Sequence, residues 1–445
     1  MAEQDLQGDP FATRLDRRRL LKRGAVASAA FGLAPYVATS RAFASSRTMK
    51  IGWVSPLTGP LASFGEANKY TVNEMQKLFS KGIRVGKNTF PVEILLKDSQ
   101  SSANRGATVA QSLILDDNID LMLVSSTPIT TNPVSDVCEA NGMPCIVTDV
   151  PWQAWFFGRK GNPAKPFKWT WQFFWGLEDI IGVFLDMWSQ IKTDKVVGAI
   201  YPNDPDGNAW GDKKNGFPPP LTKAGYKLID PGRYPEPNDD FSSQISKFKT
   251  AKAQIVSGVP LPPDGVTFLK QSLQQGLRPI AATIARAFLF PSDIEALGKL
   301  GNGVSTELWW HPGSPYRSSL THQTATQVAD TWTRVTKKQW TQPVGSSHAL
   351  FEVAANVLSR TTDVDSKDSI VAALKATSLN TVFGHVSWKD GKPPQNPVAN
   401  VSKTKLAGAQ WRKGKKYQYE LTVVSNKEIP ALKRQGTLQP VHWSS

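Results

Sequence analysis

Beyond residue 48, short apolar runs alternate with amphipathic stretches. Residues 49–55 read as a strand, 65–79 as a helix ending near Gly82, and 90–98 as a second strand. Residues 102–117 repeat apolar positions at helical spacing. Residues 119–125 (IDLMLVS) are continuously apolar, as a strand buried on both faces requires. A helix over 132–142 closes at Gly142, and 144–148 is the next strand. Strands separated by helices predict a parallel sheet wound by right-handed crossovers.

The texture changes over 151–175, which is dense in Trp, Phe, Gly and Pro. KWTWQFFWG (168–176) alternates as a strand does and reads as the passage into a second lobe. There the pattern resumes. Helices are expected at 176–191, 207–217, 241–252, 264–276 and 291–301. Strands are expected at 195–202, 226–230, 253–258, 279–285 and 304–310. Long helices over 318–339 and 348–360, and a shorter one over 366–376, return to cover the first lobe. Residues 384–394 and the tail after Lys403 read as terminal strands and a loose basic end. The fold class is therefore α/β, with two similar lobes, each a parallel sheet flanked by helices, joined by a three-segment hinge around a cleft. The expected divisions are 45–170 (lobe 1), 171–310 (lobe 2), 311–384 (lobe 1 return) and 385–445 (lobe 2 closing segment and basic tail).

The first 44 residues stand apart. DRRRLLKRGAVASAAFGLAPYVATSRAFASS holds Arg17-Arg18 before an apolar pair and Lys22, which resembles a twin-arginine export signal. Its apolar run, 24–38, is shorter than a bilayer span, and Ala42-Phe43-Ala44 fits small-x-small cleavage after Ala44. The chain is thus expected in the periplasm or another extracytoplasmic space. Removing the segment's seven Lys/Arg and four Asp/Glu lowers the net charge from +15 to +12. The basic residues are scattered, with neither a nucleic-acid motif nor a metal spacing among the five histidines, so neither nucleic acid nor metal is expected. Excess surface charge and a basic pocket for an anion both remain open. Cys138 and Cys145 read as two separate buried thiols, with a disulfide left open. The turn LTGPLASFGE lacks a P-loop Lys and the glycine spacing of a dinucleotide turn, and no G-x-S-x-G elbow occurs. Nothing in these residues makes an enzyme, and no cofactor is expected.

Several segments together resemble the substrate-binding proteins of branched-chain amino-acid ABC transporters, of type I periplasmic binding fold. They are IGWVSPLTGPLASFGE, VEILLKDSQSSANRGATVAQSLILDDNIDLMLV, NPVSDVCEANGMPCIVT, YPNDPDGNAWGDKKNGF and SLNTVFGHVSWKDG, in that order between 49 and 391. The resemblance implies a ligand buried between the lobes. It makes Phe64 an aromatic that packs on the ligand, and Ser125, Ser126 and Thr127 a carboxylate-holding loop. Residues 148–152, with Thr148, Asp149 and Trp152, form the next loop, and Trp210 caps the cleft. Where amino-acid binders place an acid for the ligand ammonium, after strand 279–285, this chain has Ala285, Arg286 and Ala287. An Arg fork suits a carboxylate, so an anionic ligand is favoured, while Asp149 stands as an acid from the other lobe. Trp175 also sits at a loop junction, with cleft and core roles balanced. Trp169, Trp171 and the Trp309-Trp310 pair read as core.

The implied function is an exported substrate-binding protein of an ABC importer. It is expected to be a monomer that closes on a small organic ligand, a carboxylate or amino-acid-like molecule with an aromatic group possible in its body. It would then deliver this ligand to permease subunits in the inner membrane. A ligand sensor for a membrane receptor is the alternative, and a periplasmic hydrolase a weaker one.

Overall fold

The computed structural model describes residues 47–389 and 391–443. The export segment lies outside them. Among the described residues no helix is long and apolar enough to cross a membrane.

Two sheets carry the chain. Across the first run Val401–Ser402, Thr170–Phe173, Cys145–Thr148, Leu121–Ser125, Met49–Ser55 and Val92–Asp98, every neighbouring pair parallel. In the second, Lys227–Ile229 and Arg233–Tyr234 flank Val196–Pro202, followed by Ile255–Gly258, Ala281–Ile284, Ser305–Leu308, Ala407–Lys413 and Tyr419–Ser425. Only the last two join antiparallel. Each sheet winds outward in both directions from its first strand. The strand order therefore reverses beside Met49–Ser55 in one sheet and beside Val196–Pro202 in the other. Crevices form outside the carboxyl ends of strands at such reversals.

The chain crosses between the sheets three times, after Phe173, after Leu308 and after Ser402. Thr170–Phe173 thus belongs to the first sheet, and so does Val401–Ser402. Between them, Trp388 donates its indole N–H to Gln172 O at 3.1 Å, so residues 384–402 pack with the first lobe. The tail is not a loose end. Ala407–Lys413 and Tyr419–Ser425 form a hairpin on the second sheet, and buried Trp411 donates to Phe288 O at 2.7 Å.

Local chemistry moves two helices from their expected limits. Thr324 and Gln327 satisfy each other's backbone N–H groups in a capping box, so the helix starts at Ala325. It stops at Thr336, because Lys337 turns left-handed with φ 62°. Pro343 opens the helix Pro343–Arg360, five residues earlier than its apolar spacing suggests. That helix is almost wholly buried against the first sheet. Its Phe351 meets Trp53 edge-on at 5.4 Å, and Trp53 donates to Ser125 Oγ at 3.1 Å. Cys138 and Cys145 are buried and unpaired.

Candidate functional site

The two reversal points face each other. From the first come Phe64, in the turn after Met49–Ser55, and Thr127, after Leu121–Ser125. From the second come Asp206, after Val196–Pro202, and Val259, after Ile255–Gly258. Together with Asp149, Phe174, Trp175, Trp210, Arg286, Leu289, Glu307 and Trp309 they enclose about 340 Å³, part of it open to solvent.

Phe64 is held there by a tight approach. A Cβ on Gly65 would fall 1.9 Å from Pro56 O, so only glycine lets the turn fold onto the strand end. The ring meets Phe290 of the other lobe edge-on at 4.8 Å, and Phe174 meets Trp309 at 5.0 Å. Ser63 donates to Asp293 across the same seam at 2.7 Å. Aromatic edges and one hydroxyl thus hold the lobes closed.

On the first wall, Thr127 stands at the N-cap of Pro128–Ala140 but does not cap it. Its hydroxyl, like that of Ser126, is buried without a partner in the chain. A helix N-terminus with unused hydroxyls suits an anionic or acceptor group. Ser125 is spent inside the lobe, accepting from Trp53, and Thr148 donates to Phe173 O at 3.0 Å. Trp152 donates to Glu178 at 3.2 Å. Ser125, Ser126, Thr148 and Trp152 are not among the residues that line the cleft. The hydroxyls of Ser125 and Thr148 serve the first lobe, while the Trp152 indole reaches across to Glu178 on the helix Leu177–Trp188, beyond the first crossing. Asp149 does line it. Burial pushes its carboxyl up to about 7, although Ser346 and Thr148 donate to it.

The second wall is ionic. Arg286 is only 3% exposed, with Nη1 on Asp204 at 2.6 Å and on Asp206 at 3.3 Å, Nη2 on Glu236, and Nε on Pro260 O at 3.2 Å. The fork expected to receive a ligand carboxylate is occupied by the chain's own acids. Glu307 accepts from the Arg286 backbone N–H at 3.3 Å and from Thr306 at 2.7 Å, and burial lifts its carboxyl to about 7. Asp149 and Arg286 hold matching places just past a parallel strand in each lobe. Both are left-handed, at φ 66° and 60°. Each costs on the order of 1 kcal/mol, strain characteristic of functional sites.

Trp175, Trp210 and Trp309 line the cleft, each with a buried indole N–H lacking a partner in the chain. Trp309 is thus not simply core. Its place at the end of a strand run gave no sign of this. Asp206 and Glu307 also escaped the sequence, since acids in a loop or a short strand carry no periodic signal.

A family model described as periplasmic binding protein matches residues 48–412. The chain belongs to the periplasmic binding protein family. A Leu/Ile/Val-binding protein homolog of Brucella suis is 23% identical over 274 residues, 61% of this chain and 66% of that protein. The match therefore spans just under two thirds of that relative. Among solved structures, the branched-chain amino-acid binding protein LivJ of Streptococcus pneumoniae, in complex with isoleucine, superposes with a TM-score of 0.67. Identity is 13%, over 85% of this chain and all of that one. A solute-binding protein of an ABC transporter from R. palustris, in complex with 4-hydroxybenzoate, gives 0.67 at 15% identity, over 86% and 98%. Both likenesses establish the two-lobed fold. The family is one of extracytoplasmic proteins that bind small ligands.

Proposed function

We propose that this chain is the substrate-binding protein of an ABC importer. It captures one small organic molecule between its lobes and presents it to an inner-membrane permease. The observation that carries this is the aromatic cleft at the facing strand reversals. Its hydroxyl at Thr127 and its three indole N–H groups are buried without partners in the chain. A ligand that supplies acceptors to these donors favours the closed form, because each donor left unpaired costs on the order of 1 kcal/mol or more. An acceptor end, such as a carboxylate, lies at Thr127, and a flat or apolar body lies among the rings. The relatives bound to isoleucine and to 4-hydroxybenzoate both fit that outline. Arg286 does not supply the anion site.

A thermal-shift screen of amino acids, aromatic carboxylates and amides tests this. A ligand at one hundred times its dissociation constant stabilises the chain by about 2.7 kcal/mol. Turnover of any of them would overturn the binding role. Export through the twin-arginine signal is part of the same reading. Changing Arg17 and Arg18 to Lys is expected to leave the chain unprocessed in the cytoplasm, and normal processing would contradict it.

A further inference from the structure

The seam beside the cleft carries an acid that takes no part in the ionic wall. Residues 62–65 form a tight turn on the first lobe, and Phe290 with the helix Pro291–Glu295 faces it from the second. Ser63 and Asp293 meet across that line at 2.7 Å, beside the edge-on pair Phe64 and Phe290. Ser292 adds a longer bond, 3.4 Å, to the same oxygen, Oδ1. Asp293 as a whole is partly exposed, yet its Oδ2 is buried with no partner in the chain. Glu66, one turn on from Ser63, pushes the carboxyl further up, and Lys338 is held on Glu66 at 2.9 Å. The charged and titrating groups on the elements packed against the helix are Asp264 and Lys270 on Pro262–Gln274, Lys299 on the turn 298–301, and Tyr419 and Glu420 on Tyr419–Ser425. None of these is among the groups that shift Asp293.

We propose that Asp293 is a proton-sensitive latch on the lobe seam: a neutral carboxyl lets the lobes close over it, and a carboxylate favours the open form. Its effect on a ligand rests on the cleft being the ligand site. Closing brings Ser63 and the Phe64 turn over the carboxyl and strips water from it. A charged group with an unmet oxygen resists that step, and a neutral one does not. Burial in the closed form lifts the carboxyl to about 7, against the hydroxyls of Ser63 and Ser292, which lower it. Parting the lobes returns it to water and to an ordinary value of about 4. Closure therefore takes up a proton. It is fully favoured below about 4, and the gain is lost as the pH rises through about 7, by up to tenfold per pH unit. A ligand held by the closed form binds more tightly as the pH falls. The raised carboxyls inside the cleft, Asp149, Asp206 and Glu307, respond in the same direction, so a substitution at Asp293 is what isolates the latch.

Small-angle scattering from the full chain without ligand, at pH 8 and pH 5, is set beside Asp293→Asn, which keeps the shape and the Ser63 contact and does not ionise. The unaltered chain is expected to have a smaller radius of gyration at pH 5 than at pH 8, and Asp293→Asn the smaller value at both. Calorimetric titration with L-phenylalanine, whose net charge is the same at both pH values, is the second readout. Asp293→Asn is expected to bind it at least threefold tighter than the unaltered chain at pH 8, and within twofold of it at pH 5. If Asp293→Asn does not fold, Ser63→Ala decides, since losing a donor that favours the carboxylate moves compaction to higher pH, and an unmoved midpoint overturns the proposal. A radius that is the same at both pH values in the unaltered chain also overturns it, as does a folded Asp293→Asn that follows pH as the unaltered chain does. In each of these cases binding of L-phenylalanine leaves the cleft reading standing. Failure of L-phenylalanine together with every member of the wider screen overturns the cleft reading, and the scattering still decides the latch.

Discussion

The two walls of the cleft are built on the same plan and carry opposite chemistry. Each presents loops from a strand reversal and one left-handed residue just past a parallel strand. The first wall ends in neutral hydroxyls at a helix N-terminus, and its Asp149 is satisfied by Ser346 and Thr148. The second ends in a buried guanidinium crowded by Asp204, Asp206 and Glu236. On the first wall the Thr127 hydroxyl is therefore left unengaged, while Asp149 is held by its neighbours' hydroxyls. On the second, Arg286, Asp204 and Glu236 hold one another. Polar groups thus stand differently on the two sides: hydroxyls without partners on the first, carboxylates engaged by a guanidinium on the second.

That contrast is broken most forcefully at Arg286. Replacing it with Gln leaves buried carboxylates without their cation. It is expected to destabilise the empty protein by about 3–5 kcal/mol, measured by urea unfolding. A cost below 1 kcal/mol would mean the network is not scaffold. The next effect is at Asp149, whose carboxyl is raised by burial to about 7. A raised carboxyl contributes stability that is fully present below its unfolded value near 4, and lost as the pH rises through about 7. Asp149→Asn is therefore expected to stabilise the empty chain on the order of 2 kcal/mol at pH 8 and to be neutral at pH 4. Equal effects at both pH values would contradict the burial argument. On the first wall, Thr127→Val removes an unpartnered buried hydroxyl. Unfolding stability should change by less than about 0.5 kcal/mol, while affinity for 3-phenylpropanoate falls about tenfold, or 1.4 kcal/mol. Smallest is the seam. Ser63→Ala removes one hydrogen bond to Asp293, and is expected to cost about 1 kcal/mol of closure, read as a larger radius of gyration at half-saturation.

The fold was legible because burial on both faces writes continuous apolar runs, and residues 119–125 and 144–148 could hardly be anything else. Phe64, Thr127, Asp149, Trp175, Trp210 and Arg286 line the cleft; apart from Trp175, a tryptophan at a loop junction, it was the resemblance and not the apolar pattern that pointed to them. What Arg286 does there was not legible. Its partners Asp204 and Glu236 lie 82 and 50 positions away in the chain, in loops with no periodic signal. Ser125 and Thr148, expected at the cleft, bond back into their own lobe, and a hydroxyl at a strand end reads the same in sequence whichever way it turns. The hairpin 407–425 looked loose because its Lys-rich turn disguised the buried Trp411 and Tyr419 on either side.

The central claim is that one molecule is gripped by both walls at once. A double-mutant titration with 3-phenylpropanoate tests it directly, comparing the unaltered chain, Thr127→Val, Trp210→Phe and the pair, each single change removing one unpartnered buried donor from one wall. One molecule should bind per chain, each single change should weaken it about tenfold, and the pair should nearly abolish it. Binding of 3-phenylpropanoate that is indifferent to both substitutions would contradict the account.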